Sequence, residues 1–218
     1  SFAAWLDVHA ANESLTIFAT VWSQARGVER RLSFAEFATV VDARASHLRA
    51  LLPRQARLAL LSKGSLDFFV TLVGAQRAGM TPVILHWRQP VATLGDLVRD
   101  VRAPLVAVGA PFLDLGAEVA RISGARAVAI EMSVDNCERG QPRNPVGDEA
   151  AVFFTSGSTG SRPKAVLHTN STQLWTAENF VFPAATMTTT LCFMPNFHVL
   201  MTFQNFLLPH VRGVGVSI

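Results

Sequence analysis

Hydroxyl side chains, glycines and one lysine are concentrated between residues 151 and 166. The segment reads Ala-Val-Phe-Phe-Thr-Ser-Gly-Ser-Thr-Gly-Ser-Arg-Pro-Lys-Ala-Val. Glycines let the backbone approach an anion closely, and hydroxyl groups donate to phosphoryl oxygens without adding negative charge. Lys164 supplies a compact positive charge, and no acidic residue lies in the segment to repel phosphate. This combination predicts a loop that binds a polyphosphate.

Two common phosphate-binding loops are excluded by spacing. The segment has no Gly-Lys-Ser or Gly-Lys-Thr at the spacing of a Walker loop, and a second strand, not a helix, is predicted after it. The Gly-x-Gly-x-x-Gly fingerprint of dinucleotide-binding folds does not occur. A flexible Ser/Gly linker is the structural alternative. Its position between two strongly apolar strands favours the phosphate-binding interpretation.

Short apolar runs alternate with helical stretches along the chain before this loop. Strands are predicted over 57–61, 81–85, 105–108 and 127–130, with helices over 66–77, 91–101 and 112–122 between them. Further strands are predicted over 150–155 and 164–168, on either side of the loop. This alternation predicts an α/β fold with mostly parallel sheets and helices on both faces.

The rest of the chain divides around this pattern. A helix over 2–10 and a strand or hairpin within 15–32 precede Ser33 and Glu36, which form a capping-box pattern for a helix that ends before Pro53. Helices over 171–182 and 197–208 and strands over 189–193 and 213–218 follow the loop. The predicted organisation is therefore a first α/β part over 1–132, a polar connecting segment over 133–148, and a phosphate-loop part over 149–218.

The loop resembles the phosphate-binding signature of the adenylate-forming, or AMP-binding, superfamily, which includes acyl-CoA synthetases, luciferases and peptide-synthetase adenylation domains. Other segments resemble the family in the same order along the chain. They are Leu32–Phe37, the strand, helix and turn within Leu58–Leu85, His86–Pro90 with Leu94 and Leu97, and Met194–His198. Together they cover most of residues 30–218, so the resemblance implies a partial large N-terminal domain of the adenylate-forming fold.

The resemblance implies specific roles for these positions. The residues expected to hold the β- and γ-phosphates of ATP are Thr155, Ser156, Gly157, Ser158, Thr159, Gly160 and Lys164. His198 is expected at the mouth of the acyl and adenylate pocket as the catalytic candidate, with Phe197 walling the acyl group. The implied reaction activates a carboxylic acid, with a fatty acid expected, to an acyl-adenylate with release of pyrophosphate. A thiol such as coenzyme A then accepts the acyl group, and Mg²⁺ assists the first step.

Three positions depart from the family pattern. Ser161 and Arg162 occupy the single position that the family has before Pro163, so either Lys164 is displaced or Arg162 shares its phosphate contact. Ala165 replaces a glycine, a mild change. Met201 also replaces a glycine, which is expected to narrow the acyl pocket and alter substrate choice.

Several family features lie later in the family's order than the last residue of this sequence. They are the adenine-binding segment, a metal-binding Thr-Glu, a ribose-binding Asp and a C-terminal domain with a catalytic lysine. The sequence is therefore expected to be part of a longer parent protein, and to be inactive alone. Two alternatives stay open: a truncated, non-catalytic relative that binds a nucleotide or a partner chain, and the adenylation module of a multidomain synthetase.

Composition excludes several other classes. Half of the 218 residues are hydrophobic and 16% are charged, which is enough to build a sizeable core. No apolar run is long enough to span a bilayer, and no signal peptide is visible. The net charge of +3 is scattered along the chain, which argues against nucleic acid as a partner. Two cysteines fit a reducing, cytoplasmic location, and the six histidines lack metal-ligand spacing, so no metal site is expected.

Overall fold

The computed structural model describes residues 2–12, 16–23, 27–130, 147–155, 162–179, 189–192, 195–202 and 215–218. The helices are α1 Phe2–Asn12, α2 Phe34–Leu51, α3 Leu66–Arg77, α4 Val91–Asp100, α5 Leu113–Ser123, α6 Asn170–Asn179 and α7 Val199–Thr202. The strands are β1 Ile17–Ser23, β2 Gly27–Ser33, β3 Arg57–Leu61, β4 Thr81–Ile84, β5 Leu105–Val108, β6 Arg126–Ala129, β7 Glu149–Thr155, β8 Lys164–Thr169, β9 Thr189–Leu191 and β10 Gly215–Ser217. A 3₁₀ turn over Ala110–Phe112 precedes α5.

A six-stranded sheet positions the loop. Its strand order is β6-β5-β3-β4-β7-β8, and every neighbouring pair is parallel except β7 and β8, which form an antiparallel hairpin. Because the strands from β3 to β7 point the same way, their carboxyl ends lie along one edge of the sheet. The loop after Thr155 therefore emerges from that edge.

Alternating side chains bury both faces of this sheet. Leu58 and Leu60 of β3 belong to a core that contains buried residues of α2 and α3. Ala59 and Leu61 belong to a second core, which contains buried residues of α4 and α5. Successive residues of a strand point to opposite faces, so a continuous apolar run is what a doubly covered strand requires. The predicted α/β fold with mostly parallel strands and helices on both faces is confirmed.

Local capping fixes where the helices begin and end. The Ser33 hydroxyl accepts a hydrogen bond from the Glu36 amide, and the Glu36 carboxylate accepts one from the Ser33 amide, so the predicted capping box forms at α2. Ser65 caps α3 in a similar way through the amide of Phe68. Helix α5 ends at Gly124, whose φ of 77° lies in the left-handed region that favours glycine.

A second, four-stranded sheet has the order β2-β1-β10-β9. The predicted N-terminal hairpin is its antiparallel pair β1 and β2, while β10 lies parallel to both β1 and β9. This sheet shares the first core with α2, through the buried side chains of Phe18, Ala19 and Val216. The last residues of the sequence thus pair with the first strand. Among the described residues, no helix combines the length and the apolar character needed to cross a membrane.

Candidate functional site

The hairpin of β7 and β8 holds the two ends of the phosphate loop together. Thr155, the last residue of β7, is paired across the hairpin with Lys164, the first residue of β8, and both side chains are exposed. Within β7 the residues over 150–153 are buried, which anchors this strand in the sheet. Ser156, Gly157, Ser158, Thr159 and Gly160 lie outside the described residues. Of the predicted phosphate ligands, the structure therefore brings Thr155 and Lys164 together.

A cavity of about 430 Å³ opens beside this hairpin. Most of its lining is apolar or aromatic, with three imidazole rings among the remaining groups. The lining residues are Ile84, Leu97, Phe153, Phe154, Pro163, Val166, Phe197, Val199, His86, His168, His198, Gln89 and Thr155. A largely apolar lining with a few polar groups is typical of a small-molecule site. Thr155 and His198 thus share one cavity, while Lys164 is the cross-strand neighbour of Thr155.

Stacked rings form one wall of this cavity. The His86 and Phe197 rings lie 3.5 Å apart, centroid to centroid, and are nearly parallel at 11°. The Trp87 ring meets Phe197 edge-on at 5.9 Å, which fixes the orientation of the phenyl ring. His198 follows directly, with its ring centroid 4.7 Å from that of Phe197. Phe197 therefore lies in the wall of this cavity, and its predicted contact with an acyl group stays a prediction.

A buried asparagine, which sequence reasoning missed, holds the segment that carries Phe197 and His198. Asn196 is fully buried, and its Nδ2 donates to the carbonyl of Ser62 at 3.0 Å, just after β3. The Thr202 hydroxyl donates to the Asn196 carbonyl at 2.8 Å. These bonds tie the start of α7 to the carboxyl edge of the large sheet. The signal that could have found it is its place within the Met194–His198 segment, which resembles the family.

Burial keeps two of the imidazoles neutral. Desolvation lowers the pKa of His86, and the nearby charges of His198 and Arg88 lower it further, against an opposing hydrogen bond to its own backbone. Desolvation also lowers the pKa of His168, whose ring contacts Phe153 edge-on at 5.3 Å. Neutral imidazoles combine an apolar face with one donor and one acceptor. This part of the wall therefore suits an uncharged body better than a second anion.

Arg162, next to the loop in sequence, pairs with carboxylates of α4. Arg162 Nη2 lies 2.8 Å from the Asp100 carboxylate and 3.8 Å from that of Asp96, both on α4. Lys164 is paired with Thr155 across the hairpin. The displaced lysine and the shared arginine contact both stay predictions, because residues 156–161 of the loop lie outside the described residues. The side chain of Met201, and with it the expected narrowing of the pocket, lies outside the described residues.

No cluster for a metal ion occurs among the residues that the structure describes. Within them, no group of three or more His, Cys, Asp and Glu side chains converges on one point. The three imidazoles of the cavity wall are therefore not arranged as a metal centre.

A family model described as AMP-binding enzyme matches residues 7–218. The chain belongs to this family. A 4-hydroxybenzoate–CoA/benzoate–CoA ligase from Rhodopseudomonas palustris is 30% identical over 167 residues, which are 69% of this chain and 31% of the ligase. An indoleacetate–CoA ligase from Aromatoleum aromaticum is 28% identical over 192 residues, 81% of this chain and 36% of the ligase. The AMP-binding chain thus spans about a third of the length of these relatives.

Solved structures of the family share this fold. The inhibitor-bound N-terminal domain of FACL13 from Mycobacterium tuberculosis superposes on the whole chain with a TM-score of 0.87 and 21% identity, and 56% of that domain is covered. The o-succinylbenzoate CoA synthetase of Bacillus subtilis, in complex with its acyl-adenylate intermediate, gives a TM-score of 0.80 at 18% identity over 98% of this chain and 43% of that one. The predicted N-terminal adenylate-forming fold is therefore confirmed, and the match covers only part of it.

Proposed function

We propose that this chain belongs to an acid–thiol ligase that uses ATP to activate a carboxylic acid and then transfers the acyl group to coenzyme A. One observation carries the proposal: Thr155, at the base of the phosphate loop, lines the same apolar cavity as His198. This arrangement supports the proposal, because a polyphosphate held by the loop and an acyl group in the cavity would lie side by side. Such proximity is what a reaction between two bound anions needs.

The proposed first step forms one bond and breaks one. A carboxylate oxygen attacks the α-phosphorus of ATP, and the bond from that phosphorus to the bridging oxygen breaks, so that pyrophosphate leaves. Lys164 would neutralise part of the charge on the β- and γ-phosphates, with the Thr155 hydroxyl and the amides and hydroxyls of the predicted loop residues as donors. In the second step the thiolate sulfur of coenzyme A attacks the acyl carbon and AMP leaves.

The described residues fit a Mg²⁺ ion only as a companion of the polyphosphate. Because no acidic or imidazole cluster occurs among them, the ligands of the ion would be phosphate oxygens, water and groups of the parent protein outside the described residues, such as the metal-binding Thr-Glu that the resemblance implies. Lys164 then complements the metal as a point charge, and Thr155 as a neutral donor. The Mg²⁺ expected from the sequence therefore stays a proposal.

For the acid, we propose a fatty acyl chain, since most of the cavity lining is apolar. An aromatic acid is the second candidate. Three phenyl rings, of Phe153, Phe154 and Phe197, line the cavity, and aromatic bodies pack well against such rings. The two curated relatives described above carry names of aromatic-acid ligases. Competition between octanoate and benzoate for the cavity distinguishes the two candidates.

The whole reaction is proposed for the native protein, because the chain spans about a third of its curated relatives. We expect the 218 residues alone to lack ATP–pyrophosphate exchange, with the remaining groups supplied by further sequence or by a partner chain. The non-catalytic nucleotide-binding protein and the synthetase module stay as alternatives. A cytoplasmic location stays a prediction, as does the absence of nucleic-acid partners.

Inorganic tripolyphosphate is the probe that tests the loop itself. We expect the chain to bind tripolyphosphate more tightly than AMP, because the predicted contacts are to the β- and γ-phosphates. The Lys164→Gln variant should bind tripolyphosphate about 10-fold to 100-fold more weakly, the loss expected for one charge-assisted hydrogen bond.

Arg126→Gln is the matched control, since it also removes one positive charge. Arg126 is the exposed first residue of β6, which is the edge strand on the far side of the sheet from β8. Calorimetry should show an affinity for tripolyphosphate close to that of the unmodified chain. Equal losses in both variants would refute the assignment, because they would show that only net charge matters. Retained binding in Lys164→Gln would do the same.

A further inference from the structure

The part of the cavity wall that Phe197 and His198 form is held by other strands than the phosphate loop. The Asn196 side chain reaches the carbonyl of Ser62, directly after β3. The ring of His86, which follows β4, stacks on Phe197. The phosphate loop lies between β7 and β8 in the sequence. The carboxyl ends of different strands therefore support the two halves of the proposed site.

Asn196 is bound on two sides at the base of this wall. Its side chain donates to Ser62, and its main-chain carbonyl accepts from the Thr202 hydroxyl at 2.8 Å. The Thr202 amide also donates to the carbonyl of His198 at 3.3 Å, which closes the turn. Asn196 and Thr202 are both fully buried, so water does not replace a bond that is lost here.

Close packing fixes the Ser62 carbonyl in turn. Ser62 is almost completely buried against Gly109, which directly follows β5. A Cβ on Gly109 would collide with the Ser62 hydroxyl, and it would lie only 3.0 Å from Ser62 Cβ even if that hydroxyl turned away. An alanine at position 109 would therefore displace Ser62 and, with it, the acceptor of the Asn196 side chain.

We propose that Asn196 and Thr202 are positioning residues for the acid, and that they affect binding of the acid without affecting binding of the polyphosphate. The proposal rests on the proposed function, since it takes a carboxylic acid as the occupant of the cavity. Neither residue is among the described residues that line the cavity, so both act through Phe197 and His198. The phosphate loop begins and ends on β7 and β8, and none of these hydrogen bonds reaches those strands.

Thr202 offers a matched pair of variants. Thr202→Val removes one hydrogen bond and keeps the shape of the side chain, whereas Thr202→Ser keeps the hydroxyl. Calorimetry on the native protein that carries these residues measures the affinities for octanoate, benzoate and tripolyphosphate. Thr202→Val should bind the preferred acid about fivefold to tenfold more weakly, the loss expected for one hydrogen bond, and tripolyphosphate within about twofold of the unmodified protein. Thr202→Ser should recover most of the acid affinity.

Two further variants disturb the same turn from the sheet. Asn196→Leu leaves the Ser62 carbonyl buried without its donor and should weaken binding of the acid by about tenfold or more. Gly109→Ala deletes no side-chain hydrogen bond and should weaken binding of the acid in the same direction. Thr71→Val is the control, because Thr71 is fully buried on α3, outside the cavity, and its hydroxyl has no partner among the described residues. It should bind both ligands normally.

The stacked rings give a readout that needs no acid. Because the Phe197 ring lies parallel to that of His86 at 3.5 Å, its ring current should shift the Hε1 signal of His86 upfield. The signal is observed with histidine labelled by ¹³C at Cε1, and His86→Gln identifies it. Thr202→Val should move this signal toward its position in the protein unfolded by urea, and Thr202→Ser and Thr71→Val should leave it in place.

Two results would overturn the proposal while the unmodified protein binds both ligands, and they leave the proposed function intact. One is an equal loss of acid and tripolyphosphate affinity in Thr202→Val, which would show a general loss of structure. The other is unchanged acid affinity in folded Thr202→Val and Gly109→Ala variants. An unmodified protein that binds neither octanoate nor benzoate would instead count against the proposed function, and the proposal made here would fall with it.

Discussion

Replacing Arg77 by methionine should destabilise the chain severely. Arg77 ends α3, and its side chain is 2% exposed. It pairs with Asp42 of α2, which is also 2% exposed, and with Asp7 of α1 at 2.6 Å. One guanidinium therefore joins three helices of the first core. The Arg77→Met variant keeps most of the volume and leaves the Asp42 carboxylate buried without its cation.

The expected loss of stability follows from the burial of this ion pair. Breaking a buried pair by removing one partner costs about 3–5 kcal/mol. In a chain of this size, each kcal/mol shifts the melting temperature by about 2–4 °C, so the expected loss is about 6–20 °C. The direct assay is urea denaturation followed by circular dichroism, with the thermal midpoint as a second readout. The Arg77→Met, Asp42→Leu double variant should recover much of the loss, because no uncompensated charge remains buried.

Arg121→Met is the control for this measurement. Arg121 also pairs with a carboxylate, Glu118, at 2.6 Å, but the two side chains are 70% and 44% exposed. Solvent screens such a pair, so we expect no measurable change in the free energy of unfolding. If Arg77→Met lost no more stability than Arg121→Met, the reasoning from burial would be refuted. A double variant as unstable as the single one would contradict the role assigned to the stranded carboxylate.

Three further predictions follow from the site. Arg162→Gln should change tripolyphosphate affinity by about twofold or less, far below the effect of Lys164→Gln, since the ion-pair partners of Arg162 are on α4. Calorimetry measures both affinities, and equal losses in the two variants would show that Arg162 shares the phosphate contact. Desolvation lowers the pKa of His168 from 6.5, so the unfolded chain binds the proton more tightly, and the free energy of unfolding should fall as the pH drops below 6.5. His168→Phe should flatten that decline in denaturation curves measured between pH 5 and 8. An unchanged slope would contradict the burial of this imidazole. Burial raises the pKa of Cys192 from 9.0 to about 12. In a Cys137→Ser background, alkylation of Cys192 by iodoacetamide at pH 8 should therefore be about a thousandfold slower in the folded chain than in the chain unfolded by urea. Equal rates in the two states would contradict the burial of this thiol.

Features encoded over short stretches of sequence could be predicted. The Ser33 and Glu36 capping box depends on residues three positions apart, and it forms as predicted. The continuous apolar run 58–61 predicted a strand of a sheet covered on both faces, and these residues of β3 are fully buried. The two strands that flank the Gly-rich loop were also predicted, and the structure pairs them as the hairpin of β7 and β8. Local chemistry and periodicity thus carry most of the fold.

Contacts between distant residues could not be predicted. Asn196 reaches the carbonyl of Ser62, 134 residues earlier, and nothing near Asn196 in sequence identifies that partner. Arg162 is next to the loop in sequence, and its ion pair with Asp100 depends on how α4 packs against the sheet. The cavity lined by Arg57, Thr81 and Glu149 arises only when the amino ends of β3, β4 and β7 are brought together. These features are set by the topology.

Transfer of an isotope label tests the central claim most directly. The native protein that carries these residues is incubated with ATP, coenzyme A and a carboxylic acid labelled with ¹⁸O in its carboxyl group, and the AMP formed is examined by mass spectrometry. Attack of the carboxylate on the α-phosphorus predicts one ¹⁸O atom in AMP, because the bridging oxygen of the acyl-adenylate stays with phosphorus when the thiol attacks the acyl carbon. Label in inorganic phosphate, or AMP formed without label, would contradict the proposed acid–thiol ligase.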